Sequence, residues 1–327
     1  MVLTLVISVD GLKVKKLDRE FLFAKMPLIN GLQEIQEFLG KNFISPEAKE
    51  FFGQATLVRM LTRPFFILTL NASENDLKNF YHLFTSVFFS YVEVCMDSLW
   101  LVKDNSCSTL YCYTAIFDQK KFDIVQNFRV STNCIGEYED VEFSSDELDM
   151  AVEIDNKLSK ILNINMDNST IEKIMHSDFR YGIENNRNYN NNNRIARAYF
   201  FLKSARNSQF ILMKISLYVS TYECLFTTDA SEIIHKMAER VACYYSEDHE
   251  ERMEMFKFVK KVYNVRSRYF HGKDLDKDKT FEKVPEMLKK LDSITRVIFK
   301  KIILDDSETF LKNESDLENY FTLLILS

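Results

Sequence analysis

Apolar and polar positions keep two different rhythms along this chain. Up to about residue 143, short runs rich in Phe, Tyr, Val and Thr predict strands at residues 3–9, 65–70, 87–94, 99–103, 110–117 and 124–130. The Asp10-Gly11 pair supplies a turn that closes the first of them. Helical spacing predicts helices over 20–39 and 74–85. After the acidic segment 136–147 the strand patterns stop and helical periodicity continues to the end. The expected fold class is therefore α+β, with a mixed domain over residues 1–143 followed by an all-α helical domain over 144–327.

Within the helical domain, five helices are expected, with a bundle core over residues 194–305. Ile195, Ala198, Tyr199, Leu202 and Ala205 mark the first, and Phe210, Met213, Leu217, Thr221, Cys224 and Leu225 the second. Ile233, Ile234, Met237, Val241 and Tyr244 line the third, with Ser231 placed to cap it. The fourth runs over 250–270 and stops at His271-Gly272, a pair suited to a left-handed helix end. The fifth covers 281–304, after a charged turn at 274–279. Residues 184–193 form an Asn-rich tract that has no apolar face to bury, so a surface loop is expected there.

Composition sharpens this picture only in places. The length of 327 residues favours two domains, and only 7 Gly and 4 Pro favour long helices over many tight turns. A net charge of −6 gives no global attraction to nucleic acid, so an RNA-binding surface would have to be a local basic patch. The six cysteines form no CxxC pair and have no histidines at matching spacing, which predicts reduced, buried thiols in a cytoplasmic protein. No run reaches the ~18 uninterrupted apolar residues of a spanning helix. His82, His176, His235 and His249 stand apart, without metal-ligand spacing, so no metal or cofactor is expected. Trp100, Tyr91, Tyr111 and Tyr113 read either as core packing or as a base-stacking surface.

The fourth predicted helix carries the candidate chemistry. At about 100° per residue, Phe256, Val259, Tyr263 and Phe270 gather on one side, while Lys257, Lys261, Asn264 and Arg268 form a basic stripe opposite. Arg266 falls inside the apolar arc. A guanidinium there requires a carboxylate partner such as Glu223 or an opening where phosphate can serve as counterion. His271 follows at the helix end, about 140° away from Arg266 around an ideal helix. For both to serve one point, the helix must unwind at 270–272 or a second copy must supply one of the groups.

The string YNVRSRYFHG at residues 263–272 resembles the signature of the HEPN superfamily, in its Apea-like form. The preceding segments RIARAYFFLKSAR (194–206), YECLF (222–226) and IIHKMAERVACY (233–244) are similar to that branch's earlier helices, in the same order. The resemblance covers about a third of the chain. It implies a helical bundle that forms a homodimer and brings two motifs into one cleft. It further implies a metal-independent endoribonuclease, of the kind that acts as a toxin or antiphage effector on tRNA or other cellular RNA. Arg266 and His271 match the catalytic pair, Ser267 the polar position after the Arg, and Glu223 an acid on the earlier helix. Lys257, Lys261, Arg268 and Lys273 become candidates for steering the RNA backbone, or remain a solvated face. By analogy residues 1–143 serve as a sensor, with a phage-derived or nucleotide trigger, or position the substrate. No membrane partner is expected. The alternative is a non-catalytic HEPN module that dimerises or binds a nucleotide.

Overall fold

Residues Val2–Ser8 carry apolar side chains toward both faces, and in the computed structural model they form β1, an inner strand of a six-stranded sheet. The structure describes residues 1–14, 20–23, 26–30, 45–163, 192–273 and 281–326. Contacts divide the chain into two units, Met1–Ser131 with Tyr138–Arg187, and Thr132–Glu137 with Asn188–Ser327. The fold class is α+β, with an N-terminal antiparallel sheet and a C-terminal helical bundle.

In the first unit the described elements are β2 (Leu12–Val14), β3 (Phe21–Phe23), β4 (Met26–Ile29), α1 (Pro46–Thr62), β5 (Phe65–Asn71), α2 (Glu74–Val102), β6 (Tyr111–Ile116), β7 (Lys121–Gln126), β8 (Val141–Phe143) and α3 (Ser145–Ile161). The sheet order is β3-β4-β5-β1-β6-β7, antiparallel throughout, and β2 pairs with β8 in a separate parallel ladder. Strand alternation splits the apolar side chains between two cores. Leu3, Leu5 and Ile7 pack with Phe88, Val92 and Leu99 of α2 and Leu148 and Ala151 of α3. On the opposite face Val6, Phe65 and Tyr113 pack with Ala48, Phe52 and Met60 of α1.

Three expectations for this unit need correction. Residues 87–94 and 99–102 belong to α2 and are helical. This helix starts at the Ser73–Asp76 capping box, as the expected start at residue 74 requires, and then runs on to Val102. Its later turns are buried nearly all round, so they lack the polar face that marks a helix in sequence. The same burial removes Trp100 and Tyr91 from any base-stacking surface, at 1% and 4% exposure. Residues 20–39 do not open a helix, because Phe21–Phe23 and Met26–Ile29 pair as antiparallel strands in which Phe21 and Phe23 point inward and Leu22 outward. Residues 31–39 lie outside the described residues. Finally, α3 packs on α2 and β3, so the expected boundary at 144 is replaced by one that leaves this helix with the sheet. The stretch Tyr81–Val102 is long and apolar enough to cross a membrane by length and composition, and 72% of it is buried within the unit.

The second unit contains α4 (Arg194–Arg206), α5 (Ile211–Phe226), α6 (Ile233–Tyr245), α7 (His249–Phe270), α8 (Val284–Leu304), the short α9 (Ser307–Phe310) and α10 (Glu314–Leu326). The central α5 packs against α4, α7, α8 and α6. Its two buried tyrosines are hydrogen-bonded into α8, Tyr218 to Asp292 (2.7 Å) and Tyr222 with Thr295 (2.9 Å). A buried hydroxyl without such a partner would be costly, so these pairs fix the facing of the two helices. Asn193 caps α4 and Asp248 caps α7 through side-chain bonds to backbone N–H groups. The Ser231 cap does not form: Glu232 holds the cap position of α6 at φ 49°, and the Ser231 hydroxyl donates to Asp229 (2.7 Å). The expected loop at 184–191 and the charged turn at 274–279 lie outside the described residues.

Candidate active site

Helix α7 ends as its sequence suggests. Gly272 takes φ 61°, its N–H bonds the Tyr269 carbonyl (3.1 Å), and the Lys273 N–H reaches back to the Arg268 carbonyl (2.9 Å). This double closure is a Schellman motif, and a residue with a Cβ would be strained at its glycine. His271 is the C-cap, and its N–H still bonds the Ser267 carbonyl at 3.1 Å. The ladder is thus unbroken between Arg266 and His271. Unwinding does not bring the two side chains together, which leaves the second-copy route for a shared site.

Arg266 sits where the buried face of α7, formed by Met255, Val259, Val262 and Val265, emerges at the helix end. Its side chain is 27% exposed. Its Nη2 lies 3.7 Å from Oε2 of Glu223, which α5 presents with 23% exposure. The guanidinium also lies over two rings of its own helix, Tyr263 at 5.5 Å and Phe270 at 5.2 Å. Its Nε is buried with no hydrogen-bond partner among the described residues. Burial raises the pKa of the Glu223 carboxyl, and the nearby Arg266 charge partly opposes that shift. The site therefore holds a cation restrained by rings and by one long ion pair, with donor capacity left over.

The remaining candidates are strung along α7, with Lys257 and Lys261 in its middle turns and Ser267, Arg268, His271 and Lys273 at its end. His271, Lys257, Lys261 and Lys273 are exposed, and Ser267 and Arg268 are half-buried. By helical geometry His271 falls beside the basic stripe, on the side away from Arg266. Two aromatic residues that the sequence pattern placed on apolar helix faces belong to this exposed neighbourhood: Phe270, 57% exposed, and Phe210, 51% exposed, whose ring meets Tyr269 edge-on at 5.8 Å. Phe210 was counted toward the apolar face of a helix, whereas it is the N-cap residue of α5 and projects outward. Among the described residues no group of three or more His, Cys, Asp or Glu side chains is placed to hold a metal ion. His235 packs against the Phe256 ring (5.3 Å), and His176 lies outside the described residues.

The fold and site together define an α+β chain with a helical bundle that presents an arginine and a histidine near one helix end. Comparison with protein-family models, with curated proteins and with solved structures finds no match.

Proposed function

We propose that this chain is a metal-independent endoribonuclease of the HEPN type, acting on cellular RNA, with tRNA the favoured substrate. The observation that carries the reading is the state of Arg266. It is a partly exposed guanidinium whose ion pair among the described residues is a long one, 3.7 Å, five positions before an exposed helix-capping His271. In this mechanism the ribose 2′-oxygen attacks the adjacent phosphorus, and His271 serves either as the base that takes the 2′-hydroxyl proton or as the acid that gives a proton to the leaving 5′-oxygen. The P–O5′ bond breaks, a proton is delivered to the 5′-oxygen, and the products are a 2′,3′-cyclic phosphate and a 5′-hydroxyl. Arg266 binds the non-bridging oxygens and stabilises the extra charge of the pentacoordinate state. Glu223 orients Arg266, and Ser267 stands at the polar position beside it. Lys257, Lys261, Arg268 and Lys273 attract the RNA backbone. DNA, lacking the 2′-hydroxyl, is not cut.

In this reading a homodimer forms through the bundle, so that Arg266 of one copy and His271 of the other serve one phosphate. The protein works in the cytoplasm as a toxin-like antiphage effector, with the sheet unit as its sensor. Induction of the wild type should slow bacterial growth, and His271→Ala or Arg266→Ala should restore it without loss of folding. Two folded variants that remain as toxic as the wild type would remove the assignment. One observation favours a second reading: Arg266 already has a carboxylate and two rings as partners. A non-catalytic HEPN scaffold would use the same contacts for stability alone, and would give dimers by light scattering with no RNA cleavage.

A further inference from the structure

The first unit contains a charged cavity that the nuclease reading leaves unused. Arg59 in the last turn of α1 and Arg63, the extended residue that caps this helix, bring their guanidinium groups to the same side. There they meet Asp10, which follows β1 and is fixed by paired backbone bonds with Ser108 (2.8 and 3.0 Å). Arg59 Nη2 donates to Asp10 Oδ2 at 2.6 Å, and Arg63 pairs with the other carboxylate oxygen. Two guanidinium groups therefore share one carboxylate, so the triad carries one net positive charge, opposed by Glu139 in the lining of the same cavity. Arg59 is held over the Tyr111 ring at 4.8 Å, and its Nε is buried with no hydrogen-bond partner among the described residues.

A cavity of about 430 Å³ opens onto this triad, and a second of about 280 Å³ lies against Arg59 and Tyr111. The larger one falls in the size range of small-ligand sites. Leu110 and Val130 give it apolar walls, and Tyr138, 56% exposed, adds an aromatic ring. Two carboxylates also line it: Asp140 is neutralised by Lys13 at 3.0 Å, and Glu139 is exposed. Paired guanidinium forks match phosphate oxygens in geometry and charge, and a phosphate dianion offers them twice the charge of Asp10. The apolar walls and the Tyr138 ring suit a planar group attached to that phosphate.

We propose that this cavity binds a small phosphate monoester carrying a planar ring, with Arg63 and Arg59 as phosphate ligands and Asp10 as the counterion that the phosphate displaces. The proposal is independent of the nuclease reading, because binding is measured without RNA. Isothermal titration of the full chain with adenosine 5′-monophosphate should give saturable binding, weaker binding of inorganic phosphate, and none of adenosine over the same range. Arg63→Gln, at a side chain 39% exposed, should weaken the monophosphate at least tenfold while leaving circular dichroism unchanged and unfolding cooperative. Asp10→Asn should tighten it several-fold by removing the resident competitor. The proposal is overturned if neither adenosine nor guanosine monophosphate binds up to millimolar concentration. It is equally overturned if adenosine binds as well as its monophosphate, if Arg63→Gln binds like the wild type, or if Asp10→Asn binds no tighter.

Discussion

Replacing Arg266 by Ala tests how the cation is held. At 3.7 Å and an effective dielectric constant of about 20, the gross attraction to Glu223 is roughly 4–5 kcal/mol. Both side chains keep about a quarter of their surface in water, and the contact is too long for a hydrogen bond, so the net contribution falls to about 1 kcal/mol. The Tyr263 and Phe270 rings add roughly 0.5 kcal/mol each. Arg266→Ala should therefore cost about 1–2 kcal/mol, against the roughly 3–5 kcal/mol lost when a fully buried pair is broken. The cost should also depend on pH. Glu223 has a raised pKa in the folded state, so its protonated form stabilises the fold at low pH, and that contribution is lost as pH rises through the folded value. Arg266 partly offsets this loss. Without it the carboxylate is left half-buried and uncompensated, and the penalty must grow from pH 5 to pH 8. Urea unfolding of the wild type, Arg266→Ala, Glu223→Gln and the double variant at both pH values reads the effect. An equal penalty at the two pH values, or a double variant no more stable than Arg266→Ala at pH 8, refutes this account of the pair.

Two further predictions concern the bundle. Arg240, 3% exposed, donates twice to Glu318 (2.6 and 2.8 Å), bonds the Phe226 carbonyl (3.0 Å) and lies over the Phe321 ring. Arg240→Ala should cost about 2–3 kcal/mol and abolish hydrogen-exchange protection in α10 first, since two of these contacts hold that helix. The glycines at positive φ should separate in thermal melts. Gly272→Ala meets open space and should cost about 1 kcal/mol from backbone strain alone. Gly136→Ala would place its Cβ 2.4 Å from the Gln209 carbonyl oxygen and should cost at least roughly 2 kcal/mol.

Among the bundle helices, α4, α6, α7 and α8 were legible because each keeps a polar face, while α5, which has no exposed position, was legible from the spacing of its apolar residues alone. Ile195 to Ala205, Ile233 to Tyr244 and the run ending at His271-Gly272 all fall on observed helices, with ends set by Asn193, Asp248 and Gly272. Where a helix is buried on nearly all sides, as in α2, the period vanishes and its Phe- and Val-rich stretches imitate strands. The start of α1 was signalled by Ser45-Pro46, a cap followed by proline at the first helical position, and went unread. At the site, Arg266 and His271 could be found because they occupy a motif at a helix end. The Asp10–Arg59–Arg63 cluster could not, since residues far apart in sequence meet there only once β1 and α1 are packed on the sheet.

The most direct test of the nuclease reading is to incubate the purified full chain with total cellular RNA in EDTA and sequence the new 5′-hydroxyl ends. The account predicts discrete cuts, tRNA prominent among them, each paired with a 2′,3′-cyclic phosphate and absent with folded His271→Ala. Intact RNA across the activating conditions tried, or cuts that persist with that variant, would contradict it.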